Sequence, residues 1–117
     1  MTAARREDSR KLYWLCLAGA IVLEIAGTVS MKLSQGFTRT LPSVLLFVFY
    51  ASSFALMTVA VKRIDMSVSY AIWSGVGTAT IALIGVFAFR ESLTAVQVGS
   101  IVLIIAGVIG LRAGAAT

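Results

Sequence analysis

Several residue types are missing or scarce in this 117-residue chain, and their scarcity excludes whole classes of function. There is no histidine and only one cysteine, so neither a disulfide nor a multi-cysteine metal site can form within one chain. Charged residues make up 13% of the sequence, and no apolar stretch contains paired acids or a nucleophile beside a base. We therefore expect no enzyme activity, no bound metal and no organic cofactor.

Hydrophobic residues, by contrast, make up 59% of the chain, and the mean hydropathy is +0.96. A soluble domain of this size has too much surface to hide so much apolar material, whereas lipid solvates it directly. The charges cluster between four apolar segments, each near the ~20 residues that cross ~30 Å of hydrocarbon. These segments cover about residues 12–33, 41–61, 66–89 and 93–111.

Only helices and closed barrels can span lipid, and runs of this length without alternation favour helices. The predicted fold is therefore an all-α integral membrane protein with four transmembrane helices in a single domain, residues 12–111. Short connections make neighbouring helices antiparallel. Pro42 stands in the first turn of the second segment, where a helix tolerates proline.

The two termini are predicted to be polar tails, residues 1–11 and 112–117, and residues 1–10 are expected to be disordered. The basic N-terminal tail and the apolar run after it imitate a signal peptide, but the run is too long, which indicates a retained span. Seven basic residues lie on the side of the termini and three on the other, which favours cytoplasmic termini. Without the four basic residues of the tail the count is balanced, so insertion in both orientations stays open. Basic residues at span ends are headgroup anchors, and no nucleic-acid partner is expected.

Glu24 is the only acidic residue inside a predicted span, near the middle of the first. A charge there costs on the order of 3 kcal/mol or more, and desolvation favours the protonated form. A carboxyl group that holds either a proton or a cation, but not both, is the minimum device for proton-coupled cation exchange. The alternative is a protonated Glu24 that only hydrogen-bonds a neighbouring helix.

Three small residues share a helix face with Glu24: Ala20, Gly27 and Thr28. They let a ligand approach the carboxyl group closely and predict the lining of a chamber. Packing of small residues between helices is an equally good explanation.

Aromatic residues recur on one face of the third segment and one face of the second. Tyr70, Trp73 and Gly77 lie at i, i+3 and i+7, so the two rings can stack on a flat or hydrophobic cation. Tyr50 and Phe54 offer adaptable walls of the same kind. The alternatives are interfacial anchoring, which applies most to Tyr70, and plain helix packing.

Glycines and other small residues predict two further features. Gly75 and Gly77 follow no strand and precede no Lys-Ser pair, so they indicate a helix bend or tight packing and not a phosphate loop. Ser100 and Gly107 lie seven residues apart in a small-residue stripe that suits a dimer contact, although such stripes also occur by chance. Trp14 is either an interfacial residue or the closure of a cavity.

Four helices leave little interior in which to enclose a pathway, so function at the membrane midplane predicts at least a dimer. Three motifs are informative together: Glu24-Ile-Ala-Gly-Thr-Val-Ser-Met-Lys-Leu-Ser-Gln-Gly-Phe-Thr-Arg39, Pro42-Ser43 and Tyr70-Ala-Ile-Trp-Ser-Gly-Val-Gly77. They resemble the small multidrug resistance transporters, and the match covers about residues 14–110. The resemblance implies an antiparallel dimer in the bacterial inner membrane that exports cations in exchange for protons.

The resemblance also implies roles for individual positions. Glu24 would be the shared proton and substrate site, and Trp73 and Tyr70 the binding aromatics. Three further groups of positions also match the family. The chamber lining would include Trp14, Tyr50 and Phe54, and the bend of helix three would lie at Gly75 and Gly77. The dimer-contact stripe would include Leu103 and Gly107.

The family has branches with different substrates. The guanidinium-exporting branch typically carries Trp three residues after the essential Glu, where this chain has Gly27. That difference favours the branch that exports lipophilic quaternary ammonium and aromatic cations. Three alternatives stay open. The chain could export guanidinium, it could be one subunit of a heterodimer whose two subunits have opposite orientations, or it could be a structural or regulatory membrane subunit that transports nothing.

Overall fold

The computed structural model describes the backbone of residues 3–114 and side chains from residue 10 onward. Four helices account for most of this range: α1 Ala3–Leu33, α2 Thr40–Ala60, α3 Met66–Ala88 and α4 Ala95–Ala113. Each contains a segment long and apolar enough to cross a membrane. The predicted fold, all-α with four membrane spans, is confirmed, and every helix limit except the start of α1 lies within two residues of its predicted place.

The start of α1 departs from the prediction of a disordered N-terminal tail. The helix begins at Ala3, although its membrane-spanning part covers only Arg10–Leu33. Between Ala3 and Lys11 there is no glycine or proline, and alanine, arginine, glutamate and lysine all favour helix. The first span therefore continues as helix into the polar residues that precede it.

The start of α4 is set by Thr94. Its side-chain oxygen accepts a hydrogen bond from the backbone N–H of Gln97 at 3.2 Å, and the Gln97 side chain accepts one from the Thr94 N–H at 2.8 Å. This reciprocal capping satisfies two N–H groups that the first turn leaves unpaired. It explains why the helix begins at Ala95 and not at residue 93.

The helices lie in the spatial order α2, α1, α3, α4, with α1 and α3 in the middle. α1 packs along α2 and also contacts α3, whereas α4 packs mainly on α3. A buried apolar cluster joins α1, the end of α2, the loop that follows it and the start of α3, and consists of Leu17, Ile21, Ala60, Ile64 and Val68. Midway along the α1–α2 contact, the Ser53 hydroxyl donates to the Ala20 carbonyl at 2.6 Å. This contact fixes α2 beside the part of α1 that carries Glu24.

Candidate functional site

Glu24 lies on the side of α1 that faces α3, directly against Gly77. A Cβ atom at position 77 would lie 2.7 Å from Glu24 Oε2, closer than such atoms approach. Glycine is therefore what allows the backbone of α3 to reach the carboxyl group. Gly77 itself is buried in this contact.

One oxygen of Glu24 belongs to a hydrogen-bond chain that joins α1 to α2. Thr28 Oγ1 donates to Glu24 Oε1 at 3.0 Å and lies 2.6 Å from the hydroxyl of Tyr50. A threonine hydroxyl has one hydrogen, so while Thr28 donates to Glu24, Tyr50 must donate to Thr28. If Glu24 carries the proton, the same three groups can donate in the opposite direction. The chain therefore accommodates both protonation states of Glu24.

Two buried polar atoms beside this chain have no hydrogen-bond partner among the described residues: Glu24 Oε2 and Trp73 Nε1. An unpaired buried polar group costs about 1–3 kcal/mol, so such atoms are uncommon and often mark functional positions. Oε2 is thus the oxygen that a proton or a cation can take without breaking an existing hydrogen bond. Trp73 Nε1 is a free donor one helical turn from Gly77.

The aromatic residues predicted to bind substrate form one cluster across α2 and α3. The Trp73 ring lies 5.5 Å from that of Tyr70 and 5.8 Å from that of Phe54, tilted by 53° and 52°. Tyr70 is 59% and Phe54 55% exposed, so the outer faces of the cluster are accessible. Ring faces of this kind attract organic cations.

Two of the small residues near Glu24, Ala20 and Gly27, contact α2 and do not border open space. Ala20 is fully buried and its carbonyl accepts the Ser53 hydroxyl of α2, so it exposes no surface in a single protomer, and its place in a chamber lining stays a prediction. Gly27 is covered by the ring of Tyr50, whose nearest atoms would lie 2.8 Å from a Cβ at position 27. Gly27 therefore sets the position of Tyr50 and through it the hydrogen bond to Thr28.

Trp14 lies well away from Glu24. Ten residues of helix separate the two, which is about 15 Å along the axis. The Trp14 ring packs beside the buried apolar cluster, and the Arg112 guanidinium lies 5.1 Å from its centroid. The structure therefore joins Trp14 to the end of α4 and does not bring it to the site.

The remaining predicted positions lie along α3 and α4. Helix α3 is continuous through Gly75, where a Cβ would lie 2.5 Å from Val108 Cγ2 of α4. The bend stays a prediction, while tight packing is what the contacts show. Ser100, Leu103 and Gly107 are exposed on α4, and Gly107 borders a groove of about 450 Å³ between α3 and α4. Their role in a dimer contact also stays a prediction.

Sequence reasoning missed an ion pair near the site. A cavity of about 580 Å³ between α1 and α3 is lined by Thr28 at one point and by Lys32 and Glu91 at another. Lys32 Nζ lies 3.5 Å from Glu91 Oε2, whereas the sequence favours a headgroup anchor at Lys32, with a role in the transport cycle as the lesser alternative. The available signal was that opposite charges at the ends of α1 and α3 lie on the same side of the membrane.

Comparison with known proteins agrees with this architecture. Residues 12–104 match the family model described as Small Multidrug Resistance protein. The chain is 51% identical to an uncharacterized membrane protein, YvaE, of Bacillus subtilis, covering 85% of this chain and 83% of that protein. It is 43% identical to Multidrug resistance protein EbrB of Bacillus subtilis, over 84% of each chain.

A relative named for a different substrate is also similar. The chain is 35% identical to a Guanidinium exporter of Yersinia pseudotuberculosis, over 85% of this chain and 95% of that protein. The resemblance seen in the motifs around Glu24 and Trp73 is thus confirmed. The chain belongs to the small multidrug resistance family and is a multi-pass transporter of the bacterial inner membrane.

Proposed function

We propose that this chain is a proton-coupled antiporter that exports lipophilic or aromatic cations such as quaternary ammonium compounds. The observation that carries the proposal is Glu24 Oε2, a buried carboxyl oxygen without a partner among the described residues, set against Gly77. The accessible rings of Tyr70 and Phe54, with Trp73 between them, supply surfaces for such a cation. No catalytic step and no cofactor are required, because the proton is the coupling ion.

Coupling follows from the competition of a proton and a cation for the same carboxyl group. A cation that binds from the cytoplasm releases protons from Glu24, and protons that enter from outside release the cation. Because one site cannot hold both, transport of one requires counter-transport of the other.

Two protomers fit this proposal better than one. Tyr70 and Phe54 expose more than half of their surface in a single protomer, and no residue of α4 is buried. An antiparallel homodimer would place two Glu24 carboxyl groups in one chamber. A heterodimer with a paralogous subunit is the alternative arrangement, and it predicts that this chain alone is inactive.

The comparisons support two substrate classes unequally. A relative named for multidrug resistance is 43% identical to this chain, and one named a guanidinium exporter is 35% identical. Gly27, in place of the Trp typical of guanidinium exporters, leaves space that the Tyr50 ring occupies. Bulky cations are therefore the primary proposal, and guanidinium is the second candidate.

The proposal is tested by binding of tetraphenylphosphonium to the purified protein across a pH series. The apparent Kd should be constant at high pH and rise as pH falls, approaching about tenfold per pH unit for each proton displaced, because a proton and the cation compete for Glu24. A Kd that stays constant across the series contradicts competition at Glu24. A structural or regulatory subunit predicts no saturable binding at any pH.

Replacing Gly27 by Trp should shift preference from bulky to small cations. A side chain at position 27 displaces the Tyr50 ring, breaks its hydrogen bond to Thr28 and fills space beside Glu24. We expect transport of tetraphenylphosphonium relative to guanidinium to fall by about tenfold or more, measured with both cations in the same liposomes. Val22→Trp is the matched control, because Val22 is 64% exposed on the same helix. An unchanged ratio in Gly27→Trp would contradict the role of Gly27 in selectivity.

A further inference from the structure

A cation already lies between a carboxylate and an aromatic ring at the loop end of the α1–α3 cavity. Lys32 Nζ is 3.5 Å from Glu91 Oε2 and 5.9 Å from the centroid of the Phe89 ring. We call these three residues the mouth cluster. A carboxylate next to a ring face is the arrangement that binds organic cations. Here the cation is supplied by the chain itself.

The backbone after α3 folds Glu91 back onto that helix. Arg90 adopts a left-handed conformation with φ of 56°, and the N–H of Glu91 donates to the carbonyl of Gly85 at 2.9 Å. A Cβ at position 85 would lie 2.5 Å from Glu91 Oε1, so only glycine leaves room for the carboxylate there. The turn and Gly85 together direct Glu91 toward the cavity.

Lys32 is held loosely in this arrangement. The Lys32 and Glu91 side chains are 60% and 53% exposed. Exposed ion pairs of this kind contribute little net binding, because water and salt screen them. Another cation of suitable size can therefore displace the ammonium group from Glu91.

The mouth cluster and the Glu24 site lie along one cavity. The cavity of about 580 Å³ is lined by Lys32, Phe89 and Glu91 and also by Thr28, the residue that donates to Glu24. Its other lining residues include the apolar side chains Met31, Ile81 and Ile84. A lipophilic cation in this cavity finds apolar walls between Glu91 at one end and Thr28, the hydrogen-bond partner of Glu24, at the other.

We infer that the mouth cluster is a second, low-affinity binding site for lipophilic organic cations, occupied when the cation displaces Lys32 from Glu91 and Phe89. Its use as a station on the way to or from Glu24 rests on the proposed function. Binding at the mouth cluster does not depend on the proposed function, because its three residues can hold a cation whether or not Glu24 exchanges protons.

The test uses the full chain with Glu24→Gln, which removes the first carboxyl group. Tetraphenylphosphonium is titrated while the ring signals of phenylalanine are followed by NMR, with Phe89 assigned through Phe89→Leu. We expect a saturable shift at Phe89 in Glu24→Gln. The shift should disappear when Glu91→Gln is added, and also when Gly85→Ala is added, since the new Cβ displaces the carboxylate without changing charge. Asp65→Asn is the matched control, because Asp65 is an exposed acid in the α2–α3 connection.

Removing the chain's own cation should have the opposite effect. In Glu24→Gln with Lys32→Gln, the Kd at Phe89 should fall by up to about fivefold, since the competitor is gone. Three outcomes would each overturn the inference. They are the absence of a Phe89 shift in Glu24→Gln, a shift of equal size when Glu91→Gln is added, and weaker binding when Lys32→Gln is added. If the wild type lacks pH-dependent binding while Glu24→Gln keeps the Phe89 shift, the proposed function fails and the mouth site stands.

Discussion

Glu24→Gln should abolish the proton release that addition of a lipophilic cation drives in the wild-type protein. Glutamine has nearly the same shape, and its amide oxygen can still accept the hydrogen bond that Thr28 donates to Glu24 Oε1. It holds neither a titratable proton nor a negative charge, so the loss is of coupling and not of structure. The measurement is the pH change of a weakly buffered protein sample on addition of tetraphenylphosphonium, followed by cation uptake into liposomes with a pH gradient.

Asp65→Asn provides the control for this experiment. Asp65 is exposed at the start of α3, and its side chain makes no capping hydrogen bond there. The Asp65→Asn protein should therefore release as many protons on addition of the cation as the wild type does. A Glu24→Gln protein that still exchanges protons for cations would place the coupling group elsewhere. A wild type that releases no protons would instead favour the structural or regulatory subunit.

The spans and Glu24 were predictable because both depend on one-dimensional properties of the chain. A membrane requires apolar runs of fixed length, and a single acid within such a run is visible by inspection. The start of α1 was not predicted, since hydropathy marks where lipid ends and not where a helix ends. Residues 3–9 remain helical because nothing in their sequence breaks the helix.

The partners of Glu24 depend on how the helices are rotated against each other, which composition does not give. Thr28 and Tyr50 were each predicted to line a chamber, but their 2.6 Å contact joins residues 22 positions apart on different helices. Ala20 is a second case. Its small side chain predicts space for a ligand, whereas the residue is fully buried and its backbone carbonyl accepts the hydroxyl of Ser53 on α2.

Gly75 and Gly77 show how one motif serves two contacts. Residues two apart in a helix point about 200° away from each other, so they face different neighbours. Gly75 faces Val108 of α4, and Gly77 faces the carboxyl group of Glu24. The sequence indicated a bend or tight packing at this pair. The contacts give each glycine a separate role.

Gly77→Ala should therefore weaken cation binding while Gly75→Ala should not. The new methyl group at position 77 would lie 2.7 Å from Glu24 Oε2, and the end of the Glu24 side chain can move away while the helices stay in place. The carboxyl group then leaves its position against α3 and strains its bond to Thr28. We expect the Kd for tetraphenylphosphonium at alkaline pH to rise by about tenfold, equivalent to ~1.4 kcal/mol.

The pattern across three alanine variants decides between a local contact and a general effect on the helix. At position 75 the methyl group meets Val108, so the expected cost is in thermal stability of the α3–α4 contact, with the Kd near wild type. Gly99→Ala is the neutral control, because within the described residues its added Cβ would meet nothing within 4 Å beyond its chain neighbours and the backbone of its own helix. If Gly75→Ala and Gly77→Ala raise the Kd equally, the shared cause is flexibility of α3, and a bend at these glycines replaces direct contact with Glu24 as the explanation. A rise confined to Gly77→Ala assigns the effect to the carboxyl group that α3 reaches there.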